Sequence, residues 1–350
     1  MNSQDEKMMY RLFLSAVEKQ VIQKVGQKYT VELGKTLKNN SVELDSIMIR
    51  GKDVNIAPNI FLNAYFKEYV EGREIESIVD EIVKIYFDNL NRFDMESIGD
   101  CSYDFLKDRI FFKLINKSMN SKLLESLPHI EIGNLVLIFA CLVEHSKDGI
   151  ASIRIDNTLI KKWNIDTQTL MDNAKENTVR LFPPKVFELD NANVELLLSH
   201  RLGDAEIKDL LNDRTERSDE KANVNAEGNS GSADKADDDP SKSRIPDNEQ
   251  SQPRIPDKIP SLFVLTNRDG VDGATCIVYK GLLERIRRRL GRGFYIIPSS
   301  VHEVIILPEI EGYSRDTLES MVKEVNSTVL SEMDILSENV YYYPDDSFAV

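Results

Sequence analysis

Cysteine, histidine and tryptophan are scarce in this chain of 350 residues, numbering three, four and one. Cys101, Cys141 and Cys276 are widely separated. An odd count without paired spacing excludes a disulfide framework and a zinc knuckle. His129, His145, His200 and His302 supply neither H-x-x-H nor H-E-x-x-H, so no local metal motif exists. No Walker-type loop or G-x-G-x-x-G follows a strand-like run, and Gly291-Arg292-Gly293 lacks a third glycine. No G-x-S-x-G elbow is present either. The longest apolar run, Leu135 to Val143, falls far short of the ~20 residues that span a bilayer. Neither a cofactor nor a membrane is expected.

Acid is abundant. Acidic residues number 59 against 44 basic ones, for a net charge of -15 and a pI near 4.9. Such a surface repels nucleic acid and anionic lipid unless a local basic patch overrides it. Hydrophobic residues at 41% are enough to bury a core. At the N-terminus Met9, Leu12, Phe13, Ala16, Val17, Val21 and Val25 recur at helical spacing among charges. That pattern is an amphipathic helix, whereas a signal peptide needs an unbroken apolar core. A cytoplasmic protein is expected.

Tyr29 to Leu37 and Val42 to Ile49 read as strands around Asn39-Asn40-Ser41, a turn tolerant of left-handed backbone. Two helices follow, one with Phe61, Tyr65, Phe66 and Tyr69, the other with Ile75, Ile78, Val79, Ile82 and Tyr86 as apolar stripe. Arg109 to Ile115, His129 to Ile132, Leu135 to Glu144 and Ile150 to Ile155 are strand-like, and Leu135 to Glu144, apolar on both faces, is expected at a sheet centre. Helices are expected from Thr158 to Trp163 and from Asp166, as N-cap, to Thr178. Pro183-Pro184 ends that block. Later, Leu262 to Thr266 and Ala274 to Tyr279 read as a hairpin, Gly281 to Leu290 as a helix closed by Gly291, and Phe294 to Ile297 with Val301 to Leu307 as a second strand pair. A helix from Ser314 to Asn326 and a strand at Val340 to Tyr343 complete the order.

Residues 212–257 differ in kind. They hold no aromatic, only Val224, Ile245 and Ile255 as large aliphatics, and twelve acids against seven bases, a net of -5. Burial cannot offset the ordering entropy of such a tract, so a disordered acidic linker is expected. Its repeat, Arg244-Ile245-Pro246-Asp247 and Arg254-Ile255-Pro256-Asp257, fits slippage in a tolerant segment better than a tandem docking motif. The fold class is α+β, with antiparallel or mixed sheets and flanking helices. An N-terminal part, 1–211, is completed across the linker by a β-β-α-β-β-α-β part, 258–350, into one composite domain.

Two clusters carry chemistry. In Pro298-Ser299-Ser300-Val301-His302-Glu303, hydroxyls, an imidazole and a carboxylate crowd one turn, the raw material of a serine hydrolase with Ser299 or Ser300 as nucleophile and His302 as base. On a regular strand Glu303 would face away from His302 and could not orient it. The bland alternative is a capped turn with one hydrogen-bonded histidine. The other cluster is Lys280, Arg285, Arg287, Arg288, Arg289 and Arg292. On a helix, Arg285, Arg288 and Arg292 share one exposed flank, and with Arg289 they are the candidates to bind an acidic or phosphorylated protein partner. Its bland alternative is a solvated face whose charges favour the helix dipole.

Several stretches taken together resemble an uncharacterised family, a domain of unknown function from anaerobic Gram-positive bacteria. They are Asn55-Ile56-Ala57-Pro58-Asn59-Ile60-Phe61-Leu62, Pro128-His129-Ile130, Lys162-Trp163-Asn164-Ile165 leading to Ala174-Lys175-Glu176-Asn177-Thr178, Val264-Leu265-Thr266-Asn267, and Pro298-Ser299-Ser300-Val301-His302-Glu303-Val304. The resemblance spans nearly the whole chain outside the linker. It implies bacterial origin and a shared fold, and no activity. The expectation for function is a non-catalytic binding or regulatory protein, with the His302 hydrolase as alternative and a nucleic-acid-associated protein of a mobile element as third.

Overall fold

In the computed structural model the described residues are 3–51, 59–92, 102–146, 149–189, 261–309, 314–346 and 348. The stretch 212–257 with its repeat, Cys101 and His200 lie outside them. The architecture is α+β, with three antiparallel sheets.

The first sheet grows from the Asn-rich turn. Strands β1 (Tyr29–Leu37) and β2 (Glu43–Gly51) pair in register along nine residues each. Asn40 and Ser41 between them adopt φ of 57° and 62°, as the turn chemistry requires. A short β3 (Asn59–Phe61) joins the other side of β2. Helices α1 (Ser3–Val25), α2 (Asn63–Val70) and α3 (Ile75–Arg92) accompany this sheet. Phe13, Val17, Val21, Ile47, Ile49, Ile82 and Tyr86 belong to their common core, so three residues of the N-terminal stripe are buried as its spacing predicts, while Leu12 of that stripe is exposed.

That unit is latched to the rest through amides. Asn40 donates its backbone N–H to Asn120 Oδ1 at 2.7 Å and receives the Asn120 amide at 2.8 Å. Its own Nδ2 bonds the carbonyls of Glu332 and Ile335, both at 2.7 Å. Buried amides persist only when satisfied in this way.

After α4 (Tyr103–Leu106), the second sheet is organised by its longest strand. That strand runs beside β4 (Ile110–Asn116), with α5 (Ser121–Leu124) and β5 (His129–Ile132) between the two in sequence. It is β6 (Leu135–Ser146), paired on one side with β4 and on the other with β5 and then β7 (Gly149–Arg154). Leu135, Leu137, Phe139 and Cys141 enter the largest core, while Val136, Ile138, Ala140 and Leu142 are buried on the opposite face. The expected central strand is central. Helices α6 (Asn157–Trp163) and α7 (Thr167–Leu181) follow, capped by Asp156 and Asp166, whose carboxylates accept the Leu159 and Thr169 N–H groups at 2.7 and 2.8 Å.

The third sheet departs from expectation. Pro184 does not merely end a helix; it begins β8 (Pro184–Glu188), which pairs with β9 (Phe263–Asn267). A proline opening an edge strand forfeits no ladder bond, which reconciles the residue with the element. Residues on both sides of 190–260 thus share one sheet. Ala274 to Tyr279, read as a strand, is instead a 3₁₀ segment, Gly273–Val278, with all six residues buried. A six-residue run buried on every side carries no period that separates strand from helix. The close approach at Gly273 fixes the outcome: a Cβ there would stand 2.1 Å from Thr266 Oγ1 and 2.4 Å from the His302 carbonyl oxygen.

Helix α8 (Leu282–Leu290) ends on Gly291 at φ 70°, as expected. Strands β10 (Phe294–Pro298) and β11 (Val304–Pro308) pair, and helix α9 (Arg315–Thr328) is capped by Ser314. With β12 (Tyr341–Tyr343) the sheet order is β12-β10-β11-β9-β8. Its inward side chains, Leu265, Phe294, Ile296, Val304 and Ile306, join those of β4, β6 and α7 in the largest core. Cys141 and Cys276 are both buried there as small apolar groups. Among the described residues no helix is long and apolar enough to cross a membrane.

Candidate functional site

The second strand pair is shorter than the sequence indicates. Its upper strand begins at Val304, so Ser299 to Glu303 form the connecting turn and His302 lies outside the strand. The argument from opposite strand faces therefore does not apply to His302 and Glu303. Tertiary bonds hold this turn open. Val301 donates to the Asp334 carbonyl at 2.8 Å and accepts from Ala274 N–H at 3.2 Å. The His302 carbonyl takes the Thr266 hydroxyl at 2.7 Å.

The imidazole is held at both nitrogens. Nδ1 accepts the Asp272 N–H at 3.2 Å, and Nε2 lies 3.4 Å from Asp334 Oδ1. An Nδ1 that accepts is unprotonated, so the ring proton sits on Nε2 and faces the carboxylate. Asp272 is itself a special residue, at φ 52° before the tight Gly273 and paired through its carboxylate with Lys113 at 2.8 Å. The serines are engaged elsewhere. Ser300 Oγ accepts the His302 backbone N–H at 3.0 Å, and Ser299 Oγ donates to Glu303 Oε1 at 3.5 Å. The turn thus gathers all three sequence-singled residues and pairs neither hydroxyl with a ring nitrogen.

Beneath the turn the chain is packed. A cavity of about 10 Å³, lined by Phe111, Phe182, Asn267, Asp272, Thr275 and Tyr279 among others, has room for about one water. Burial pushes the Cys276 thiol up to about 12 and raises the Tyr279 phenol further. Cys276 Sγ lies 3.3 Å from the Thr266 carbonyl and the Tyr279 hydroxyl donates to the Phe182 carbonyl at 2.9 Å. Asp272 and Asp334, which orient His302, were not singled out by the sequence. Asp334 lies 32 positions away with no motif to flag it, and only the fold brings it near.

Arg285, Arg287, Arg288 and Arg289 stand on α8, and Arg292 follows its glycine cap. Leu282 and Leu283 are buried, with Ile286 and Leu290 packed beside them. Lys280, Arg285, Arg287, Arg288, Arg289 and Arg292 are exposed. Arg288 Nε lies 3.5 Å from Glu284 Oε1, and Arg292 donates to the Glu309 carbonyl at 3.3 Å. Among the described residues no carboxylate lies within ion-pair distance of Arg285, Arg287, Arg289 or Arg292. Glu284 is shared, since its other oxygen accepts the Tyr343 hydroxyl at 3.1 Å.

A family model matches residues 10–345, nearly the full length of these elements. The chain belongs to DUF5688, a family of unknown function. Neither a curated protein nor a solved structure matches it. Membership in DUF5688 therefore names a fold shared by relatives and assigns no chemistry, which must come from the side chains themselves.

Proposed function

We propose that this DUF5688 protein is a cytoplasmic, non-catalytic binding or regulatory protein whose helix α8 holds an acidic or phosphorylated protein partner. The observation that carries the proposal is the unneutralised flank of α8. Five arginines lie within eight residues, and Arg288 alone has a carboxylate partner among the described residues, in a chain of net charge -15. Like charges gathered on one helix repel each other, and among the described residues Glu284 is the one carboxylate within ion-pair distance of them. A partner presenting carboxylates or phosphates would relieve it, and each arginine offers a planar fork that fits such groups.

The test is fluorescence anisotropy with an acidic peptide and its doubly phosphorylated form, at low and high salt. Saturable binding, weakened about tenfold or more by Arg285→Ala with Arg289→Ala and weakened by salt, is the expected result. Affinity unchanged in the double variant would overturn it. Single-stranded DNA bound more tightly than either peptide would favour the nucleic-acid reading instead.

A further inference from the structure

Strand β6 does not alternate along its whole length. Its register with β7 runs from Leu142 opposite Ser152 to Glu144 opposite Ala151, leaving Val143 as an extra residue. Such a bulge turns every later side chain to the face that strict alternation denies it. Counting by twos from Leu142 would send His145 to the other side. With Val143 bulged, His145 stands opposite Ile150, on the face that carries Ala140 and Leu142. Phe182 lies on that face too, and its ring centroid is 5.9 Å from the His145 ring.

The redirected imidazole borders an open cleft of about 380 Å³, lined also by Asp108, Arg109, Arg180, Leu142 and Leu181. Three chain segments meet there: the start of β4, the end of β6 and the end of α7. His145 is fixed in place, because its Nε2 lies 3.0 Å from Asp269 Oδ1. Asp269 is in turn positioned by Asn267, whose Oδ1 accepts its backbone N–H at 3.0 Å. The second Asp269 oxygen is buried and has no hydrogen-bond partner among the described residues. A buried carboxylate oxygen left unsatisfied is costly, and such groups gather where a side chain is held for another purpose than its own bonding. Among the described residues, Nδ1 of His145 has no partner.

The guanidinium groups are also under-used. Arg180 spends Nη2 on the Asn177 side chain at 3.0 Å and on the Asp108 carbonyl. Its Nη1 and Nε have no partner among the described residues. Arg109 rests over the Phe105 ring at 5.1 Å and has no carboxylate within ion-pair distance among the described residues. Only Asp108 opposes these cations in the cleft lining.

We infer that this cleft binds the phosphoryl group of a small phosphate monoester between Arg109, Arg180 and His145. The two guanidinium groups supply N–H donors to the phosphoryl oxygens, and Nδ1 of His145, an acceptor while Nε2–H faces Asp269, takes the hydroxyl proton of a singly protonated phosphoryl group, whereas a carboxylate is satisfied by one guanidinium fork. The half-buried Leu181 offers apolar surface for the ester substituent, and the volume lies at the lower end of the range that takes small molecules. The site is separate from the arginines of α8, and the two proposals stand or fall apart.

The test is calorimetric titration of the full chain with glycerol 3-phosphate, with inorganic phosphate, acetate and glycerol as comparisons, at low ionic strength. Glycerol 3-phosphate and inorganic phosphate should bind at a millimolar constant or tighter, acetate at least about tenfold more weakly, and glycerol not at all. Arg109→Ala should weaken phosphate binding about tenfold with thermal melting unchanged because its side chain is exposed, and His145→Gln should weaken it several-fold. Arg180→Lys, which keeps the charge but not the fork, separates loss of geometry from loss of charge and should weaken binding too. Absence of saturable binding, equal affinity for acetate, or affinity unchanged in both Arg109→Ala and His145→Gln would overturn the inference. Binding abolished instead by Arg285→Ala with Arg289→Ala would move the anion to α8 and overturn it as well.

Discussion

Replacing His302 by alanine separates a pinning role from a catalytic one. The substitution removes the acceptor for the Asp272 N–H, 3.2 Å away, and the donor facing Asp334 at 3.4 Å. Fully buried, two such losses would cost ~1–3 kcal/mol each. The imidazole is 40% exposed and Asp334 39%, so water re-solvates the carboxylate and the second loss nearly vanishes. What remains is the Asp272 N–H in its left-handed turn, worth about 1 kcal/mol. The backbone bonds of His302 to Thr266 and Ser300 do not involve the ring and survive. The position of each nitrogen gives a sharper check than the magnitude alone. Asparagine places an oxygen near the Nδ1 position and should recover most of the loss. Glutamine reaches toward Asp334 but not Asp272, and should behave like alanine. Urea titrations followed by circular dichroism, with the denaturant slope unchanged across the series, read these differences. A cost above ~3 kcal/mol for alanine, or asparagine no better than glutamine, would refute the reasoning. So would ester hydrolysis by the parent protein that disappears in His302→Ala, because the ring would then be acting as a base.

Two further outcomes follow from the core. Asn40→Ala loses three side-chain bonds to Glu332, Ile335 and Asn120 and puts a Cβ-bearing residue without local compensation at φ 57°; urea titration should show a loss of about 3–5 kcal/mol, with Asn40→Gly about 1 kcal/mol milder. Cys276 should resist thiol reagents at pH 8 until the chain unfolds, since burial pushes its thiol up to about 12. Because the folded value lies above the unfolded one near ~8.5, its contribution to stability is complete below that pH and is lost as pH rises, at up to ~1.4 kcal/mol per unit; Cys276→Ala should flatten that alkaline slope.

Local chemistry made much of this fold legible. Asp166 announces its helix because a carboxylate before the first turn accepts an orphan N–H, and Gly291 ends α8 because a left-handed residue there carries no Cβ penalty. The apolar stretch of β6 gave away its central place because both faces had to be covered. The failures share a different cause. Gly273–Val278 is buried on every side, so its period says nothing, and contacts with Thr266 and His302 decide its winding. β8 is exposed along most of its length, and so its strand pattern is faint. The His302 turn is spread by Val301 bonding Asp334, a contact that no pairing of neighbours in sequence reveals. The bulge at Val143 is invisible for the same reason: it shows only when β6 is set against β7.

His302 and His145 show why crowding in the sequence and convergence in space differ. His302 has two serines and a glutamate within three positions, yet its ring nitrogens meet Asp272 and Asp334 while the serines bond elsewhere. His145 has Glu144 and Ser146 beside it in sequence, yet its ring meets the distant Asp269, and the bulge turns it toward a cleft lined by two arginines. Net charge sharpens what such a cleft selects. At -15 the averaged field disfavours an extended polyanion wherever no local basic patch offsets it. A single phosphoryl group sees mainly charges within a screening length of ~8–10 Å: Arg109 and Arg180 against Asp108 in the lining, with Asp269 behind His145 and itself 3.9 Å from Arg268 Nε. The two cases separate on raising salt from a low level. A compact anion held by local cations loses affinity as those contacts are screened. A polyanion kept away by the global field gains access over the same range, and only then loses whatever contacts it makes.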